Sequence, residues 1–155
     1  MKSFPNSVII PADEGTGIWQ PGIKGNCITV KVSPWNHTTT QHTVFLHELP
    51  KGGEVGEHAH NNGIEIFVCL SGEGILTIDG KDNPFKMHDV AYIDMNSLHR
   101  IKAISNEPLK YMVILTPTGL EERLKLMGKT KSDKNELPPE NFDSEIGKQS
   151  SHGVV

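Results

Sequence analysis

The sequence predicts an all-β domain, a sandwich or barrel of short antiparallel strands. Three features predict it: short runs of alternating, β-branched residues; turn signals between them; and only one segment with helical periodicity. The chain has 155 residues, enough for one domain with a real core. Hydrophobic residues make up only 35% of it, which places part of the chain outside that core.

Residues 1–26 contain "PADEGTGIWQPGIKGN", rich in Gly and Pro, and read as an irregular N-terminal arm that Trp19 can pin to the body. "CITVKV" (Cys27–Val32) and "TVFLHEL" (Thr43–Leu49) alternate as half-buried strands do. Further strands are expected at Ile64–Leu70, Ile75–Asp79, Val90–Ile93, His99–Ile104 and Leu109–Thr116. The segments "NNG", "SGEG", "DGKDNP", "DMNS" and "SNEP" between them read as turns. In "TGLEERLKLMG", Thr118 is placed as an N-cap with Glu121 three residues on, a capping box. Leu120, Leu124 and Met127 follow at helical spacing as a packing face, and Gly128 stops the helix. Residues 27–127 are thus one barrel domain with a C-terminal helix, and 128–155 a polar tail. The tail lacks periodic apolar positions, so ending the chain near Lys129 is expected to leave the barrel folded. The sequence leaves open whether the tail wraps the body or stays disordered, and the two valines of "SHGVV" could dock in a groove.

A net charge of −4 argues against nucleic acid or an anionic membrane as main partner. The N-terminus has no signal-peptide pattern, and no run nears the roughly 18 apolar residues a membrane span needs. Cys27 and Cys69 are too few for a disulfide framework and fit a reducing, cytoplasmic setting. One bridge between them stays open, although Cys69 inside an apolar run reads better as a buried thiol.

Eight histidines carry the chemical signal through their spacing. In a strand, His58 and His60 point the same way, about 7 Å apart. Asn61, Asn62 and Gly63 tolerate positive φ and can turn the chain back, setting Glu65 beside the pair. Imidazole with carboxylate suits one divalent transition metal (Fe, Mn, Ni, Zn or Cu) and excludes an all-oxygen calcium cage. His99, after the "MNS" turn, is the best candidate for a fourth ligand.

Gly52, five residues, His58, one residue, His60, four residues, Glu65, six residues, Gly72: this resembles the first cupin motif with every fixed position filled. His99 occupies the histidine of the second motif, where His88, Asp94, Asn96 and Ala103 stand for its usual Gly, Pro, Gly and Asn. The resemblance spans about Val44 to Thr116. It implies a cupin-type antiparallel β-barrel (double-stranded β-helix, jelly roll) holding one metal through His58, His60, Glu65 and His99. The helix and tail are similar to single-domain bacterial cupins of the quercetin-dioxygenase-like type.

A lone histidine pair would read as surface polarity; the matching Glu65 and glycines favour the metal site. His42 and His47 are expected on opposite faces of their strand, each surface or structural rather than ligating. His88 reads as an exposed turn residue, while His37 and His152 carry no signal. Tyr92, Tyr111 and Glu48 are weak catalytic candidates, with packing the stronger reading of each.

The expected activity is a dioxygenase acting on a small enol, diketone or phenol chelated by the metal. The alternatives are a non-oxidative isomerase, lyase or decarboxylase using the metal as Lewis acid, and a ligand-binding or sensing module without turnover. A homodimer is expected, because an unclosed sheet edge invites a second copy.

Overall fold

The computed structural model describes residues 7–144. Its elements are β1 (Thr16–Trp19), β2 (Cys27–Val32), β3 (Thr43–Leu49), β4 (Glu54–His58), β5 (Ile64–Ser71), β6 (Glu73–Ile78), β7 (Lys81–Lys86), β8 (Val90–Ile93), β9 (His99–Ala103), β10 (Leu109–Thr116), α1 (Leu120–Met127) and β11 (Lys129–Thr130). They build two antiparallel sheets, ordered β11-β1-β2-β3-β10-β5-β8 and β4-β9-β6-β7.

Alternation turns Ile28, Phe45, Phe67, Tyr111 and Val113 of the larger sheet inward, where they meet Leu76, Ile101 and Phe85 of the smaller one in a single core cluster. Ile28, Leu49 and Leu109 have no exposed surface; burying each such side chain contributes about 1.5–3 kcal/mol. Cys27 and Cys69 are both buried free thiols.

The N-terminal arm is not wholly irregular. Thr16–Trp19 pairs with β2 on one side and with Lys129–Thr130 of the tail on the other. Trp19 does pin the arm: its indole N–H donates to Glu136 at 2.8 Å, and the Lys131 ammonium stacks on its ring. Phe142 bridges to Gly22, and a β-carbon at Gly128 would collide with the Trp19 carbonyl. The described tail is therefore docked on the body through β1. "SHGVV" and His152 lie outside the described residues.

Two local readings also change. The turn expected at "DGKDNP" is shorter, because Lys81–Lys86 forms β7; that strand lies at the edge of its sheet, where the missing N–H of Pro84 breaks no interior ladder. The turn is Asp79-Gly80 alone, both at positive φ (48° and 80°) as a two-residue hairpin requires. At α1 the N-cap is Gly119, not Thr118, and no side chain caps it in the usual sense. Glu121 instead reaches back to accept the Gly119 N–H at 2.7 Å and the Thr43 hydroxyl at 2.6 Å. Leu124 packs on the core as expected, and Gly128 ends the helix.

Candidate metal centre

Four elements converge inside the barrel. His58 ends β4 directly opposite His99 at the start of β9, after a register shift that follows Val55. Glu65 points inward from β5, and His60 sits on the loop between β4 and β5. The described positive-φ residues do not include Asn61, Asn62 or Gly63. Gly63 is needed for a different reason: a β-carbon there would approach the Thr116 carbonyl to 3.0 Å. The loop is held instead by Asn96, whose N–H donates to the His60 carbonyl at 2.7 Å. Asn96 and His88, which replace two motif glycines, both keep positive φ, 64° and 75°, so the turn geometry survives the substitutions.

The ligand atoms of His58, His60, Glu65 and His99 all lie within 4.8 Å of one another. Backbone carbonyls set two of the imidazoles. His58 Nδ1–H donates to the Gly56 carbonyl (2.8 Å) and His99 Nδ1–H to that of Ser97 (3.0 Å), which aims each Nε2 lone pair at the centre. His60 Nε2 and His99 Nε2 come within 3.1 and 2.9 Å of the same oxygen, Glu65 Oε2. None of these three buried atoms makes a hydrogen bond of acceptable direction. Buried polar atoms are normally satisfied, so lone pairs gathered in this way fit a shared cation better than each other.

Burial works against the charge of Glu65, but His60 and His99 beside it hold its carboxyl down to about 2. Burial, helped by His99, pushes His58 down to about 4, keeping it a neutral donor. For His99 burial acts downward, yet the Glu65 carboxylate and the Ser97 carbonyl raise it overall.

Next to the cluster lies a cavity of about 60 Å³ walled mainly by apolar side chains, Phe45, Val55, Phe67, Ile101 and Val113 among them. Tyr111 and His47 border it, but their polar atoms are paired. His47 Nε2–H donates to Asn26 Oδ1 and Tyr111 O–H donates to His47 Nδ1, each at 2.7 Å. Burial lowers His47 to about 4 and raises Tyr111 well above its ordinary value. Of the weak catalytic candidates, then, Tyr111 is a packed core residue.

The other two face away from the cavity. Tyr92 is 59% exposed, because its inward neighbour on β8 is Ile93. Glu48 is exposed and pairs with Lys110 at 3.2 Å. His42 meets Thr116 Oγ1 on the surface, and His88 is exposed. Sequence reasoning missed Asn26, whose signal is only a polar residue next to a strand.

With the geometry in hand, comparison with known proteins agrees. Residues 45–115 match the profile of the Cupin domain family, and the described barrel has the cupin fold. The chain is 37% identical over 68 residues to an oxalate-binding protein of Thermotoga maritima, covering 44% of this chain and 56% of that protein. It is 26% identical over 97 residues to quercetin 2,3-dioxygenase of Bacillus subtilis, covering 63% of this chain and 28% of that one. It thus spans about half or less of the length of these two curated relatives. A solved structure of a predicted oxalate decarboxylase from T. maritima superposes with a TM-score of 0.64 at 25% identity, covering 72% of this chain and 100% of that one. Among the described residues, no helix is long and apolar enough to cross a membrane.

Proposed function

We propose that this chain is a metal-dependent cupin enzyme, a dioxygenase acting on a small enol, diketone or phenol. The observation that carries the reading is the set of three imidazoles and one carboxylate within 4.8 Å, aimed at one point beside an apolar cavity. Bound there, a divalent transition metal supplies redox and Lewis-acid chemistry. His58, His60 and His99 would offer it imidazole nitrogens, and Glu65 would offset one of its charges.

Phe67, which meets His99 edge-on, and Ile101 keep water from that side of the cluster. A cavity of about 60 Å³ holds one or two water-sized molecules. It therefore suits O₂, itself small and apolar, and excludes a polycyclic substrate. In such a reaction both oxygen atoms enter the substrate, which supplies the electrons, so no separate reductant is consumed. Tyr111, its proton committed to His47, shapes the cavity without transferring that proton.

The relatives named for oxalate support a second reading, a non-oxidative lyase or decarboxylase, or a binding module without turnover. Metal per chain by elemental analysis comes first, followed by O₂ uptake against small enols and catechols. O₂ consumption with product formation supports the dioxygenase; anaerobic turnover selects the lyase; binding alone selects the module; absence of metal refutes the centre.

A homodimer belongs to the same proposal. Across the outer face of the larger sheet run two apolar rows, Val44-Ile114-Ile66-Tyr92 and Leu46-Met112-Val68-Val90. That patch is about 14 Å wide by strand spacing, a suitable centre for an isologous interface. The neighbouring Glu48 and Lys110 at its rim are complementary to their own copy. Solution scattering should report a dimer for the native chain and a monomer for Val68→Glu/Met112→Glu.

A further inference from the structure

A second pocket, of about 270 Å³, lies between the His60–Gly63 loop and the start of α1. His60 forms part of its wall, and Leu120 lines both this pocket and the apolar cavity. The cluster therefore stands between a small dry space and a larger polar one. Arg123, half-buried, also lines the larger pocket, and among the described residues its guanidinium has no hydrogen-bond or ion-pair partner.

The nearby acids of the helix are committed elsewhere. Glu121 accepts from the Gly119 N–H and the Thr43 hydroxyl, and Glu122 accepts from the Trp35 indole N–H. No acid lines the pocket; its other polar side chains include the neutral Asn62 and Thr118. A guanidinium stays charged and offers a planar fork of donors that matches a carboxylate. An unpaired one, in a chain whose net charge is −4, marks a place kept for an anion.

We propose that this pocket is a carboxylate subsite: the substrate chelates the metal at one end and pairs its distal carboxylate with Arg123. This assignment rests on the metal reading above and adds the substrate class, a small chelating acid that enters from the α1 side. The apolar cavity remains for the second, uncharged reactant. Arg123 acts as a specificity residue, distinguishing acids from neutral chelators of the same shape.

Two hydroxamates test it. Succinic monohydroxamate and butyrohydroxamate share a chelating head and end in a carboxylate and a methyl group respectively. The purified full chain is titrated with each by calorimetry, with its metal content measured in parallel. Native protein should bind the carboxylate ligand about tenfold tighter or more. Arg123→Gln should lose that preference while keeping butyrohydroxamate affinity, metal content and melting temperature. Arg123→Lys should retain part of the preference, since charge persists but the planar fork does not. No preference in the native protein, a preference that survives in Arg123→Gln, or no binding of either ligand overturns the subsite. Arg123-dependent selection by a chain that carries no metal refutes the metal reading and leaves the subsite standing.

Discussion

Two polar clusters, each containing buried histidine, border the same cavity and are built on opposite rules. In the Asn26-His47-Tyr111 chain every polar atom facing another is matched: Asn26 Nδ2 donates to the Pro21 carbonyl, His47 donates to Asn26, and Tyr111 donates to His47. In the His58-His60-Glu65-His99 cluster the outer nitrogens of His58 and His99 are tied to backbone carbonyls, while His60 Nε2, His99 Nε2 and Glu65 Oε2 meet without hydrogen bonds. A satisfied buried network contributes to stability, and an unsatisfied one costs it unless something else binds. The comparison separates a structural histidine from a ligating one by what remains unpaired, and burial alone does not, since both sets are largely hidden.

The largest expected effect breaks the cluster. His58→Ala combined with His99→Ala removes two ligands and should cut metal affinity by at least about a hundredfold. The metal-free barrel should stay folded, because its hydrophobic core does not depend on the ion as a zinc finger's does. Elemental analysis alongside thermal unfolding checks both halves; full metal occupancy in the double variant would refute the assignment.

Breaking the other set should do the reverse. His47→Leu leaves the Asn26 amide oxygen without its donor and the Tyr111 hydroxyl without its acceptor, and should cost about 2–4 kcal/mol with metal content unchanged. Its pH dependence has a definite sign. His47 is held near 4 when folded against an ordinary 6.5, so the unfolded chain takes up the proton first as pH falls. Stability from the neutral, paired ring is present above about pH 6.5 and is lost progressively towards pH 4, by on the order of 3 kcal/mol. The stability gap between native protein and His47→Leu, measured in denaturant at fixed pH, should therefore narrow from pH 7 to pH 5. A gap that widens on acidification contradicts the buried neutral ring.

How much of this could be read from the sequence follows from how local each feature is. The strands Cys27–Val32, Thr43–Leu49 and Leu109–Thr116 end where their alternation ends. The four clustered residues stood out because His58, His60 and Glu65 lie within eight positions of chain and His99 begins a later strand. β1 was not legible, since its partners include a tail strand more than a hundred residues away and its flanks are Gly- and Pro-rich. The pairing of His47 with Asn26 and Tyr111 spans residues 21 and 64 apart in sequence, beyond any periodic signal. Tyr92 and Glu48 turned on parity alone: a shift of one residue in facing exchanges inside for outside.

A smaller effect sharpens the contrast within the cluster. Glu65→Gln keeps the shape and one coordinating oxygen but removes the charge that offsets the metal and balances His99. Metal should bind more weakly than in the native chain and more strongly than in either His58→Ala or His99→Ala, as competition with a chelator would show. Occupancy below that of both alanine variants would mean that Glu65 carries more of the binding than the imidazoles.

The smallest effects come from histidines outside both sets. His42 is exposed and its ring meets Thr116 Oγ1, away from the cluster, so His42→Ala should leave metal content unchanged. His88 holds a left-handed turn at φ 75°, a conformation that costs a non-glycine residue of order 1 kcal/mol and glycine almost nothing. His88→Gly therefore relieves strain in the folded state while adding freedom to the unfolded one. The two terms oppose, and the net change should stay within about 1 kcal/mol, with metal content unaltered. His88→Ala retains the strain and loses nothing from the centre, so it should be the less stable of the two by denaturant titration. Loss of metal in either variant would place His88 in the cluster's support, and would mean that the turn after β7 helps to set the site.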